Sequence, residues 1–119
     1  MEKQELGSFG EDVASAFLEK KGFTVIQRNF SCRLGEIDII ASEGEFLSFA
    51  EVKLRRDASH GEAREFVTRA KQKRIILAAK YWLSHHPTDL QPRFDVVEVY
   101  APSGPQGKVY LRLLRDAFS

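Results

Sequence analysis

Residues 35–54 read GEIDIIASEGEFLSFAEVKL, and this stretch decides the fold. Two apolar runs, Gly35 to Ala41 and Phe46 to Leu54, flank a short polar segment that contains Gly44, the pattern of a β-hairpin. Twelve residues separate Asp38 from Glu51, and Lys53 follows two further on. Side chains two apart on a strand share a face, so Glu36 pairs with Asp38 and Glu51 with Lys53. A two-residue loop at Glu43-Gly44, or a four-residue loop from Ser42 to Glu45, would set Glu36 opposite Glu51 and Asp38 opposite Phe49. All four charged side chains then point the same way, with Asp38 and Glu51 roughly 7–8 Å apart on a diagonal. A three-residue loop without a bulge would separate them onto opposite faces.

Like charges facing each other across a ladder are destabilising. A hard divalent cation resolves the conflict, because Mg²⁺ takes one or two carboxylates and keeps waters for a substrate. The competing reading is a row of solvated charges on the outer face of a hairpin. Ile37, Ile39, Ala50 and Val52 have the opposite parity and form the expected core face, while Leu47 and Phe49 share the acidic one.

Outside the hairpin, the periodicity predicts a helix from about Gln4 to Lys21, with Leu6, Phe9, Val13, Ala16 and Phe17 as the main apolar stripe. Gly7, Ala14 and Leu18 form a smaller stripe that includes Glu11. Phe23 to Phe30 reads as a strand. Ser59-His60-Gly61-Glu62 has the form of a capping box opening a helix to about His85, with Ala63, Phe66, Val67, Ala70, Leu77, Ala78 and Tyr81 on its apolar face. Arg74 falls within that face and Lys71 at its edge. Pro87 to Pro92 reads as a loop, Arg93 to Tyr100 as a strand, and Lys108 to Leu113 as a last strand. The order α-β-β-β-α-β-β predicts an α/β sandwich on a mixed sheet of about five strands, in a single domain over 1–119.

Composition narrows the function. At 43% hydrophobic and 29% charged residues, the 119-residue chain fits an ordinary globular domain. It shows no signal peptide and no apolar run of membrane-spanning length, so cytoplasm without membrane association is the expectation. Cys32 is the one cysteine, which rules out an internal disulfide. Lys53 to Lys80 holds nine basic and three acidic residues, a net +6 against −5 for the remainder. A basic block beside an acidic patch suits a metal-dependent phosphodiester site, although basic helices are also commonly just solvated. The histidines lack ligand spacing with Cys32, and neither a serine triad nor a phosphate-binding glycine loop is present.

Asp on the second strand and Glu-x-Lys on the third resembles the PD-(D/E)xK nuclease core of type II restriction enzymes and archaeal Holliday junction resolvases. End to end, the chain is similar to the YraN-like family of small bacterial proteins. That likeness rests on Gly10-Glu11, Asn29, Gly35-Glu36-Ile37-Asp38, Glu51-Val52-Lys53, Lys71, Arg74, Tyr81, Arg93-Phe94-Asp95-Val96-Val97 and Ala117-Phe118. It implies a restriction-endonuclease-like three-layer sandwich with two helices flanking the sheet. It also implies that Asp38 and Glu51 bind Mg²⁺ or Mn²⁺, that Lys53 is the catalytic lysine, and that Glu11 and Glu36 belong to the site. Ile37 stands where the superfamily's eponymous proline would be.

The implied reaction is metal-dependent hydrolysis of nucleic acid, with DNA favoured over RNA. Arg28, Arg55, Arg56, Lys71 and Arg74 are the candidates for backbone contacts. The alternative is a non-catalytic module that binds nucleic acid or protein on the same scaffold. Activity that requires an oligomer, in the simplest case a homodimer, is a third reading.

Overall fold

The computed structural model describes residues 3–55 and 67–119. Arg56 and the expected capping box lie outside the described residues. Helix α1 spans Lys3–Lys20, followed by strands β1 (Thr24–Cys32), β2 (Gly35–Glu43) and β3 (Phe46–Arg55). Helix α2 (Arg69–His85) precedes β4 (Gln91–Tyr100) and β5 (Tyr110–Phe118). The strands form one sheet in sequence order, with β3–β4 parallel and the other neighbours antiparallel. A parallel pair needs a long crossover, and the segment containing α2 supplies it. This is the mixed five-strand, two-helix sandwich that the element order predicts. No described helix is long and apolar enough to cross a membrane.

The central hairpin turns on Gly44 and Glu45 rather than on Glu43 and Gly44. Gly44 adopts φ +57°, a conformation suited to glycine, and Glu43 pairs directly with Phe46. The register is thus shifted by two residues from both expected pairings. A shift of two preserves parity, so the convergence of Asp38 and Glu51 survives. The last paired rung is Ile39 with Ala50; continued one step, the count sets Asp38 directly across from Glu51.

The expected core face of β2 is broken at Asp38. Ile37 packs with Ile75, Ala78, Ala79 and Trp82 of α2, whereas Ile39 and Ala41 pack with Ala14 and Leu18 of α1. Its β1 neighbour Asn29 adopts the left-handed φ of +55°, in the gap between the rungs Arg28–Ile39 and Phe30–Ile37. The sheet therefore changes face at the position of the acidic residue.

Both helices present a different face from the one the periodicity suggests. On α1 the small stripe is the buried one: Ala14 and Leu18 are fully enclosed, with Phe9, Val13 and Phe17 packed around them and Ala16 exposed. Gly10 is buried against β3, where a Cβ would make ordinary contact with Val52 and Leu54 at 3.7 Å. On α2 the buried residues are Ile75, Ala78, Ala79 and Trp82, while Ala70, Arg74, Leu77 and Tyr81 are exposed. The phase taken from Ala63, Phe66 and Val67 does not carry over, because the helix starts at Arg69 with Thr68 as its N-cap. Strand β5 also lies further along than expected, ending at Phe118, which stacks on Phe94 at 5.3 Å. Phe94 in turn stacks on Phe49, and Phe49 meets Trp82 edge-on. Full burial of such aromatic side chains contributes about 1.5–3 kcal/mol each.

Candidate active site

Where β2 loses its pairing with β3, the Asp38 side chain replaces the missing rung. Its Oδ2 accepts a hydrogen bond from Val52 N–H at 2.8 Å. The carboxyl is held beside Glu51, which is only 4% exposed. Burial pushes the Asp38 pKa up from 3.8 to about 7, the Glu51 carboxylate adds to this, and Glu11 contributes in the same direction. The Val52 N–H opposes the shift without cancelling it. Glu11 reaches this neighbourhood from α1, on the helix face that Gly10 and Ala14 bring onto the sheet.

Two lysines face the carboxylates. Lys53 Nζ lies 3.9 Å from Glu51 Oε1, and Lys71 Nζ lies 2.5 Å from the same oxygen. Burial lowers the Lys53 pKa, and the neighbouring Lys71 ammonium lowers it further, with Glu51 and Asp38 pulling back. Burial also works against the Lys71 charge, but its contact with Glu51 outweighs this and the net shift is upward. Lys71 is thus a direct partner of the buried carboxylate. Sequence reasoning placed it among the phosphate contacts and missed that role. Its place in the first turn of α2, a position unfavourable for a cation in the helix dipole, is the signal that an anion nearby compensates it.

The remaining candidates are distributed around this centre. Glu36 is exposed and lines a cavity of about 390 Å³ with Thr68, Lys71 and Arg74, at the N-terminal end of α2. Gly35 beside it packs so tightly on α2 that a Cβ would lie 2.6 Å from the Arg74 carbonyl oxygen. Arg28 pairs with Asp12 at 2.7 Å and with Glu11 at 3.8 Å. Arg55 is largely buried and pairs with Glu98 at 2.6 Å, which ties β3 to β4 rather than presenting a cation to solvent. Arg74 is exposed.

On β4, one rung along from Glu51, Asp95 is fully buried and fully partnered. Ser48 Oγ, Arg93 Nε and the Asp116 N–H all donate to its carboxylate. Arg93 also donates to Glu43, which Arg115 grips through two nitrogens. Asp116 takes φ +53° where β5 slips register against β4. This network closes the sheet and leaves no carboxylate oxygen for a ligand.

The donor set at Asp38 and Glu51 fits a hard cation, since both are oxygen ligands and the pair is too crowded to ionise freely. Among the described residues no three His, Cys, Asp or Glu side chains form a metal cage. A cation would therefore be held by the two carboxylates, with the rest of its shell from water or substrate, as is common for Mg²⁺.

Fold and cluster together define a small α/β domain with a carboxylate–lysine centre set into a break in its sheet. The chain belongs to the uncharacterised protein family UPF0102, whose model matches residues 10–99. It is 47% identical over 118 residues to a UPF0102 protein of Desulforapulum autotrophicum, covering 98% of this chain and 95% of that one. A Clostridium perfringens UPF0102 protein is 47% identical over 116 residues, covering 95% and 93% of the two chains. One from Rhodococcus opacus is 45% identical over 116 residues, with 95% of each covered.

Proposed function

We propose that this chain is a metal-dependent nuclease that hydrolyses phosphodiester bonds, with DNA as the favoured substrate. The observation that carries the reading is Asp38 anchored on Val52 N–H against the buried Glu51, with Lys53 and Lys71 at its margin. A structural role does not account for two crowded carboxylates, one of them pushed up to about 7. Mg²⁺ or Mn²⁺ held by Asp38 and Glu51 would supply Lewis-acid stabilisation at the phosphate and ease deprotonation of water. Lys53 would sit beside the reacting phosphate, where its ammonium orients the attacking water or balances developing charge. Lys71 occupies Glu51 Oε1 in the present arrangement, so occupancy by a cation would displace it toward the substrate backbone, alongside Arg74. Backbone contacts of this kind position a strand without reading its bases.

The test is a cleavage assay in Mg²⁺ or Mn²⁺ over single-stranded, duplex, flapped and four-way DNA and structured RNA. Wild type is expected to cut at least one substrate, and Lys53→Ala to abolish cutting while keeping metal affinity in a Mn²⁺ titration. Cleavage that survives in Lys53→Ala would assign the activity elsewhere. The close Lys71–Glu51 contact favours a second reading, a non-catalytic binding module whose own lysine closes the site. Tight nucleic-acid binding with no cleavage of any substrate would select it.

A further inference from the structure

We infer that the groove between α2 and the β1–β2 turn is a track for a single unpaired nucleic-acid strand, with Tyr81 as a platform on which a base stacks. The identity of the strand as substrate rests on the nuclease reading, whereas the observations at Phe30, Arg33, Leu34 and Tyr81 are separate from the carboxylate centre. Lys71, Arg74 and Tyr81 are spaced three and seven residues apart, so they share one face of α2 and span roughly 15 Å. Gly35 presses the β1–β2 turn onto that face at Arg74. Beyond this contact lies a cavity of about 470 Å³ whose walls include Phe30, Arg33, Leu34 and Tyr81.

Its chemistry is that of a base slot with a cationic rim. Tyr81 is 45% exposed and Leu34 40%, an arrangement that leaves apolar surface facing water on both sides. Phe30 stacks on the Tyr81 ring with centroids 6.3 Å apart and planes 25° from parallel, and the exposed His85 ring lies 4.7 Å from it, tilted by 42°, so a stacking base takes the place of His85. Arg33 and Arg74 are exposed and form no ion pair with any described residue. An apolar protein segment would leave both guanidinium groups unpaired, whereas a strand supplies a phosphate for each and a π-face for the ring. Only an unpaired base can reach such a slot, because duplex bases are already stacked and paired. Binding of this type tolerates any sequence.

The experiment is fluorescence anisotropy of labelled oligothymidine and oligouridine 12-mers with the full chain in EDTA, against a blunt hairpin duplex of equal charge. Tyr81→Phe should bind the single strand within about twofold of wild type. Tyr81→Leu, similar in bulk but without a π-face, should bind about tenfold more weakly. Arg33→Gln should reduce the slope of log affinity against log salt by about 0.7. Leu34→Asn removes the opposite wall, should also weaken binding, and decides the matter if Tyr81→Leu does not fold. Binding of either 12-mer with this pattern supports the track, and the stronger of the two identifies DNA or RNA as its ligand. Equal affinity for Tyr81→Leu and Tyr81→Phe, or a duplex bound as tightly as the single strand, overturns it. Tyr81-dependent binding by a protein that cuts nothing upholds the track and removes the nuclease reading. Cutting indifferent to Tyr81→Leu removes the track alone.

Discussion

Replacing Asp38 by Asn should make the protein more stable, and the gain should grow with pH. The Asn Oδ1 keeps the hydrogen bond from Val52 N–H, and its amide can donate to Glu51 as a protonated Asp38 does. What the substitution removes is the cost of ionising a carboxyl held beside Glu51. In the folded protein that carboxyl keeps its proton to about pH 7, and in the unfolded chain only to 3.8. The native state therefore binds the extra proton between those values, and stability falls as pH rises through that window. At about 1.4 kcal/mol per pH unit the full penalty above pH 7 is roughly 4 kcal/mol, and relaxation around the pair reduces it to about 2. For a domain of this size that corresponds to a Tm higher by about 8 °C at pH 8. The advantage should shrink to roughly a third at pH 5 and vanish near pH 4. Scanning calorimetry of both proteins at pH 4, 5 and 8 in EDTA measures it. A variant that melts at or below the wild-type temperature at pH 8, or whose gain is the same at all three values, would refute the crowding of Asp38 against Glu51. With Mn²⁺ present the order should reverse, since a ligand for the native state stabilises wild type alone.

Lys71→Met should tighten Mn²⁺ binding by removing the cation that now occupies Glu51, while weakening nucleic-acid binding; calorimetric titration and anisotropy read the two effects in opposite directions. Gly35→Ala places a methyl against the Arg74 carbonyl and should cost roughly 1–3 kcal/mol by urea unfolding, as overpacking does. Asp95→Ala leaves Arg93 with Glu43 alone and strips the Ser48 hydroxyl and the Asp116 N–H of their acceptor, and should cost about 2–4 kcal/mol, enough to see as a lower urea midpoint. Glu43 behaves oppositely to Asp38: its two arginines hold its pKa down at about 2, against an ordinary 4.5. Its contribution is complete above pH 4.5 and disappears as the pH drops toward 2, so urea midpoints of wild type and Glu43→Gln should converge in acid.

The elements and their order were legible because the hairpin, the helices and the glycine punctuation give period and polarity directly. Parity also sufficed to bring Asp38 and Glu51 together, since a register error of two residues leaves faces unchanged. Other features depend on contacts that no local pattern encodes. The face change at Asp38 requires the left-handed Asn29 on a neighbouring strand. The expected face of α1 follows its larger apolar residues, and that of α2 takes its phase from Ala63, Phe66 and Val67, which precede the helix start at Arg69. On α1 the small Ala14 is enclosed together with Leu18, and Phe9 and Phe17 are only partly buried against them. Arg55 looked like a free cation beside Lys53, but its partner Glu98 comes from a strand 43 residues away. Lys71 reaches Glu51 because α2 returns over the sheet, and charge counting registered only its sign.

Two buried acidic sites one rung apart in this sheet differ in how well they are satisfied. The network around Asp95 satisfies each of its buried charges, so sequence and structure agree there at every level. Around Asp38 a rung is missing, and like charges are held together against their own preference. Selection for stability alone would act on these two sites unequally, keeping Asp95 and trading Asp38 or Glu51 for neutral residues. Variants of this chain hardened against heat should therefore lose the carboxylate pair long before they lose the sandwich that carries it.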